Sequence, residues 1–347
     1  MGGRAVARSV GMLAAMAMSL ASLAPSSAAP GAAGLKVVAR IPIGISSGDV
    51  VSGFGSIWAA STFGGTVTRI DPATNQIVAT IRVGRRTAAF ASNAAGSSYL
   101  GVSDDAVWVS LWGPDVVKRI DPLTNEVVAR IEVDEYPHQA VFASGFIWVP
   151  SECGNGGSGS LSKIDPATNT VVEVFPVGDP RGDCHTGYAG PETMVEADGD
   201  LWMSVHNMAA MVRFDVATEA VIDVIRLFGR ACGDLGVADG SVWTTAGACF
   251  PPRYPWAARV DGGSGAILDA WEIRGSTDAQ AAFGMVWIST NGGRIVQIDP
   301  STDQRVGRTD ADLPIVRLAE GAGALWAAGA EALDGSSPAY VLRLETA

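Results

Sequence analysis

Residues 67–84 read VTRIDPATNQIVATIRVG. Apolar and polar residues alternate on both sides of the central D-P-A-T-N, the signature of two strands joined by a tight turn. The Asp71 carboxylate can accept from backbone N–H groups ahead of it, and Pro72 sets φ for the turn. The block recurs as VKRIDPLTNEVVARIEV at 117–133 and LSKIDPATNTVVEVFPVG at 161–178. Looser copies begin at Val212, Ala258 and Val296. Asp71, Asp121 and Asp165 therefore read as turn-forming residues.

A tryptophan accompanies each unit, at 58, 108, 148, 202, 243, 287 and 326, always inside an apolar run such as SIWAA, AVWVS or MVWIS. The spacings of 50, 40, 54, 41, 44 and 39 residues suit four short strands per unit with loops of variable length. A further short strand precedes each Trp, as in DVVSG, YLGVS and TMVEA. The expected fold is all-β: a seven-bladed β-propeller of four-stranded blades. The seventh unit stops after one strand beyond Trp326, and KVVARIPIG at 36–44 resembles QIVATIRVG at 76–84. The first strand is thus expected to complete the last blade, with 36–43 pairing against 339–344, so that no edge is left open.

Residues 1–28 read as a signal peptide. Arg4 and Arg8 give a charged start, Val10–Leu23 an apolar core, and Ser26 and Ala28 small residues before a cut. That core is too short to span a bilayer. Residues 29–347 are expected to form the propeller, in a secreted or extracytoplasmic setting with no membrane span after signal removal. Losing Arg4 and Arg8 and no acid takes the net charge from −12 to −14, which disfavours a nucleic-acid partner. The partner could be a small molecule or a protein. The four cysteines are expected to form two disulfides, Cys153–Cys184 and Cys232–Cys249, each joining neighbouring loops of one face.

Blade-joining loops and the loops after each Trp strand lie on one face, and the D-P-x-T-N turns on the other. His138, His185 and His206 fall on the first face. Counting nine residues back from each Trp gives Asp49, Tyr99, Gln139, Thr193, Asp234, Asp278 and Arg317, all able to hydrogen-bond. The next residue in each blade is apolar, the alternation expected of a strand lining a channel. Glu192 and His138 stand one step before their members of this ring. Three or four carboxylates facing one arginine suggest that the mouth attracts a cation, either Ca²⁺ or Mg²⁺ or the cationic part of a ligand. No Ser-centred nucleophile elbow and no glycosidase-type acid pair is evident, so no catalytic residue is assigned.

The G-x-x-W strands and R-I-D-P-x-T-N-x-V-V-A blocks over residues 35–345 resemble the YVTN or YncE-like propeller repeats. They are also similar to the virginiamycin B (streptogramin) lyase family. The first resemblance implies a binding or scaffold protein of the cell envelope. The second implies, as an alternative, a metal-dependent lyase with a Glu-x-His arrangement. This sequence has no Glu-x-His; its nearest counterpart is Asp183-Cys184-His185.

Overall fold

The computed structural model describes residues 34–86, 98–154, 157–179, 182, 189–247 and 256–347. The signal segment, Cys184, His185 and Cys249 lie outside them. The described chain is strand, turn and loop, arranged as seven four-stranded antiparallel sheets. Blade 1 comprises Ser47–Gly53, Ser56–Ser61, Thr66–Asp71 and Gln76–Arg82, counted from the axis outward. Blades 2 to 6 repeat this order. Blade 7 orders Ile315–Gly321, Ala324–Ala330, Pro338–Thr346 and then Leu35–Ile45. Its outer pairing runs from Leu35 opposite Thr346 to Ile45 opposite Pro338, so the ring closes as the repeat count requires.

The seven repeat tryptophans are the largest buried side chains, each 0–1% exposed in the second strand of its blade. Each fills the space between neighbouring sheets, where indoles contribute most to packing. The indole N–H also closes the hairpin behind it. Trp58, Trp148, Trp287 and Trp326 donate to the carbonyls of Gly53, Ala143, Ala282 and Gly321 at 2.9–3.1 Å. Phe54-Gly55, Ser144-Gly145, Phe283-Gly284 and Ala322-Gly323 turn these hairpins with φ positive at both residues, as a two-residue primed turn demands. Near the axis, a Cβ on Gly101 or Gly236 would sit 2.1 Å from a carbonyl oxygen of the next blade's inner strand, at Ala140 or Ala279.

The D-P-x-T-N turn has a double role. Asp71 accepts from Ala73 N at 2.9 Å and Thr74 Oγ1 at 2.8 Å, and these bonds hold its carboxyl below the usual range. Asn75, Asn125 and Asn169 take left-handed φ of 56–60°, which Asn tolerates well. The same turn is also grasped by the preceding blade. Arg69 donates to Pro122 O at 2.5 Å and Asn125 Oδ1 at 3.0 Å, while its guanidinium lies 5.0 Å from the Trp58 ring. Arg119 does the same to Pro166 and Asn169, Arg259 to Pro300 and Asp303, and Arg343 to Pro72 and Asn75. Lys163 pairs with Glu219, and Arg213 donates to Gly263 O. Six of the seven blade junctions are clasped in this way. At the junction of blades 6 and 7 the equivalent residue is Gln297, and blade 7 has no such turn because two separate strands meet there. Thr309 bonds both backbone atoms of Leu35 instead, at 3.1 Å each.

Candidate functional site

Among the residues nine before each Trp, the acids are more deeply engaged than channel-lining groups would be. Asp49, Asp234 and Asp278 are 3–5% exposed. Asp49 accepts from Val50 N at 2.7 Å and, across the blade junction, from Leu100 N at 2.8 Å. Asp278 accepts from Leu318 N at 2.6 Å, again in the next blade. Both are inter-blade staples. Thr193 acts similarly by donating to Gly233 O at 3.2 Å.

Arg317 draws this ring together. Its guanidinium pairs with Asp234 and lies 3.7 Å from Asp49. Burial opposes its charge, but Asp234, Asp49 and Asp278 outweigh that and raise its pKa. Burial likewise raises the carboxyls of Asp49, Asp234 and Asp278 against the pull of Arg317, Asp234 well above the usual value and Asp278 to about 6. These donors do not fit a divalent cation, because an arginine stands among them and amides occupy oxygen atoms of Asp49 and Asp278. Among the described residues no three His, Cys, Asp or Glu side chains are arranged to hold a metal ion.

A second group lies on the loop face in blades 3 and 4. His138 Nε2 is 2.6 Å from Glu152 Oε1, and both side chains are 5% exposed. In the next blade His206 Nδ1 is 3.0 Å from Glu192 Oε1, with side chains 5% and 11% exposed. The two pairs occupy equivalent places with the residue types exchanged. The position ten before the Trp carries His in blade 3 and Glu in blade 4, and the position four after it carries Glu and then His. Burial raises the Glu192 pKa, the contact with His206 opposes this, and Glu152 raises it further. The two blades are thus electrically coupled.

Because a carboxylate only accepts, His138 Nε2 donates to Glu152. Its Nδ1 is buried without a hydrogen-bond partner. Aromatic side chains frame the group. Tyr99 packs on His138 with centroids 4.6 Å apart, and Trp112 stacks on Tyr136 at 4.3 Å and 29°. Trp112 Nε1 reaches Glu152 Oε1 at 3.4 Å. Tyr136 adopts φ of 60°, an unusual value for a bulky residue, and is held by Asp115 Oδ1 on its amide at 2.9 Å. Tyr99 also faces Arg317, 5.7 Å from its ring. Beyond it lies a cavity of about 290 Å³ bounded by Ser47, Thr62, Phe63, Tyr99, Arg317 and Leu333.

Counting back from the Trp thus finds Asp49, Tyr99, Asp234, Asp278 and Arg317, with Glu192 and His138 one step away. Gln139 is half-buried, and no hydrogen bond ties it to either group. Glu152, Trp112 and Tyr136 escape that count. Counting four forward would have found Trp112, Glu152 and His206 together. Cys153 and Cys232 are disulfide-bonded, and no cysteine among the described residues is free. Their expected partners, Cys184 and Cys249, lie outside those residues, as does His185.

The chain is similar in structure to hydrazine synthase of Kuenenia stuttgartiensis. The likeness has a TM-score of 0.64 at 12% identity and covers 87% of this chain and 96% of that one. At that identity only the propeller architecture is shared information. In all, 1590 solved chains match, so the architecture by itself selects no activity. No family model matches the sequence, and no curated protein matches it.

Proposed function

We propose that this protein is a secreted or cell-envelope binding propeller. Its loop face takes a small ligand, or a partner side chain, that carries a cationic donor group. The observation that supports this is the buried pair of pairs, His138–Glu152 and Glu192–His206, framed by Tyr99, Trp112 and Tyr136 beside a cavity. Beside His206, and with Arg317 beyond Tyr99, the wall carries two buried carboxyl groups, Glu152 and Glu192, that can accept hydrogen bonds. An ammonium or guanidinium would satisfy them, and aromatic faces attract such cations by about 0.5–2 kcal/mol. The resemblance to YncE-like repeats agrees with a binding role. Two loop-face disulfides, Cys153–Cys184 and Cys232–Cys249, are part of the same proposal and suit an exported chain.

Calorimetric titration with benzylamine and with benzyl alcohol, its neutral counterpart, tests this reading. The amine should bind, the alcohol should bind at least about tenfold more weakly, and Glu152→Gln should remove the difference. Equal binding of amine and alcohol, or no binding of either, would overturn it. The lyase-like alternative is separated by metal content: it requires a stoichiometric divalent ion in the purified protein.

A further inference from the structure

The outer rim of the propeller holds a second concentration of charge, of the opposite sign and away from the axis. A cleft of about 370 Å³ opens between blades 1 and 2 and is bounded by Arg82, Arg85, Lys118 and Arg130 over Val83, Leu111, Pro114 and Val116. It shares no bounding residue with the mouth cavity. The chain has 36 acids and only 24 Lys or Arg, so convergence of four bases on one cleft runs against its overall charge.

The pairing register sharpens the point. Lys118 and Arg130 are direct cross-strand partners in blade 2. Like charges directly opposite one another on a sheet destabilise it. The equivalent pairs elsewhere are Thr68–Thr80, Ser162–Val174, Val212–Val224, Ala258–Ala270, Val296–Arg308 and Leu342–Arg40. None opposes two cations, so the fold has no need of them there. The Lys118 pKa is lowered by burial and then by Arg130, so the repulsion is felt. Among the described residues, the acid paired with these cations is Glu132, 2.9 Å from Arg130 in an exposed pair, and exposed pairs contribute little.

We infer that the cleft between blades 1 and 2 is an anion-binding site for a phosphate or sulfate ester, with Arg82, Arg85, Lys118 and Arg130 gripping the anion. Guanidinium groups match the paired oxygens of such anions, and Lys118 supplies a point charge at the base. The apolar floor of Val83, Leu111 and Val116 suits a ligand whose ester group is compact and apolar. This inference is independent of the loop-face reading, since the two sites share no residue and attract opposite charges.

The test uses the full mature chain and a Lys118→Ser, Arg130→Val variant, which copies the pair that blade 3 carries in place. Phenyl phosphate and inorganic phosphate are titrated by calorimetry, and vesicles containing phosphatidylglycerol are tested by co-sedimentation. Wild type should bind phenyl phosphate more tightly than inorganic phosphate, and the variant should bind it about tenfold or more weakly after losing two charge-assisted contacts. Binding should weaken with added salt. Without ligand the variant should melt no lower than wild type, because a like-charge pair has been relieved. Vesicle binding without phenyl phosphate binding, if lost in the variant, would support the site with a lipid headgroup as the source of the phosphate. Equal binding by wild type and variant, or binding by neither to any of the three probes, would overturn the inference.

Discussion

Asp278 shows how a single carboxyl at the channel mouth records the state of the ring around it. Its folded pKa of about 6 lies above the ordinary 3.8 because burial outweighs the attraction of Arg317 and the Leu318 amide. Below pH 3.8 the group is protonated folded or unfolded, and its contribution to stability is complete. As pH rises from 3.8 to 6 the unfolded chain releases the proton first, so stability falls; above 6 the loss is finished. The stability of wild type relative to Asp278→Asn should therefore decline by about 2–3 kcal/mol between pH 4 and 6.5 in denaturant unfolding. A difference that stays flat across that range would refute the raised pKa. At this scale the sequence was partly legible. Period-two alternation exposes residues nine before the Trp, because a strand shows alternate side chains to one side. It could not show that Asp49 and Asp278 turn sideways onto the next blade's amides, since that depends on the spacing between blades. Glu152 was hidden for a similar reason: its partner His138 lies fourteen residues earlier and meets it only across a hairpin.

The element that holds blades to one another is the D-P-x-T-N turn together with the arginine of the strand before it. The turn's Asp and Pro were readable from local chemistry alone, and the structure places them in that role. The arginine was not, because its partners are 41 or more residues away, as Arg259 is from Pro300 and Arg119, at 50, from Asn169. Replacing Arg119 by Ala removes two hydrogen bonds to the blade 3 turn and a cation placed 5.4 Å from the Trp108 ring. The expected cost is about 1–3 kcal/mol, read as a lower urea midpoint with unchanged slope. Gln297→Ala at the equivalent place in blade 6 should cost clearly less, because no turn stands beyond it. Equal costs at the two positions would show that the clasp contributes nothing beyond local packing.

At the scale of the molecule, the fold was the most legible property of all. Seven tryptophans at spacings near 40–50 residues, one incomplete unit and one spare strand specify a closed ring before any coordinate is known. Local repetition carries this information redundantly, whereas a binding site is assembled once, from loops that do not repeat. Deleting residues 34–45 should leave the edge of Pro338–Thr346 unpaired and uncover Leu342 and Leu344, which are 0–1% exposed. Soluble, monomeric protein with the melting temperature of the full chain would contradict closure by this strand. The closing pair has one more consequence, a mechanical one. Leu35 stands directly opposite Thr346 at the same end of an antiparallel pair. A force that draws these two residues apart does not shear the sheet, in which case all its hydrogen bonds would resist at once. It peels the strand away one rung at a time, beginning at Leu35, and it does so in the blade whose junction with blade 6 lacks an arginine clasp. Under tension the ring should behave as a chain with a zip fastener at one link, yielding there at low force while the other blades keep their shape.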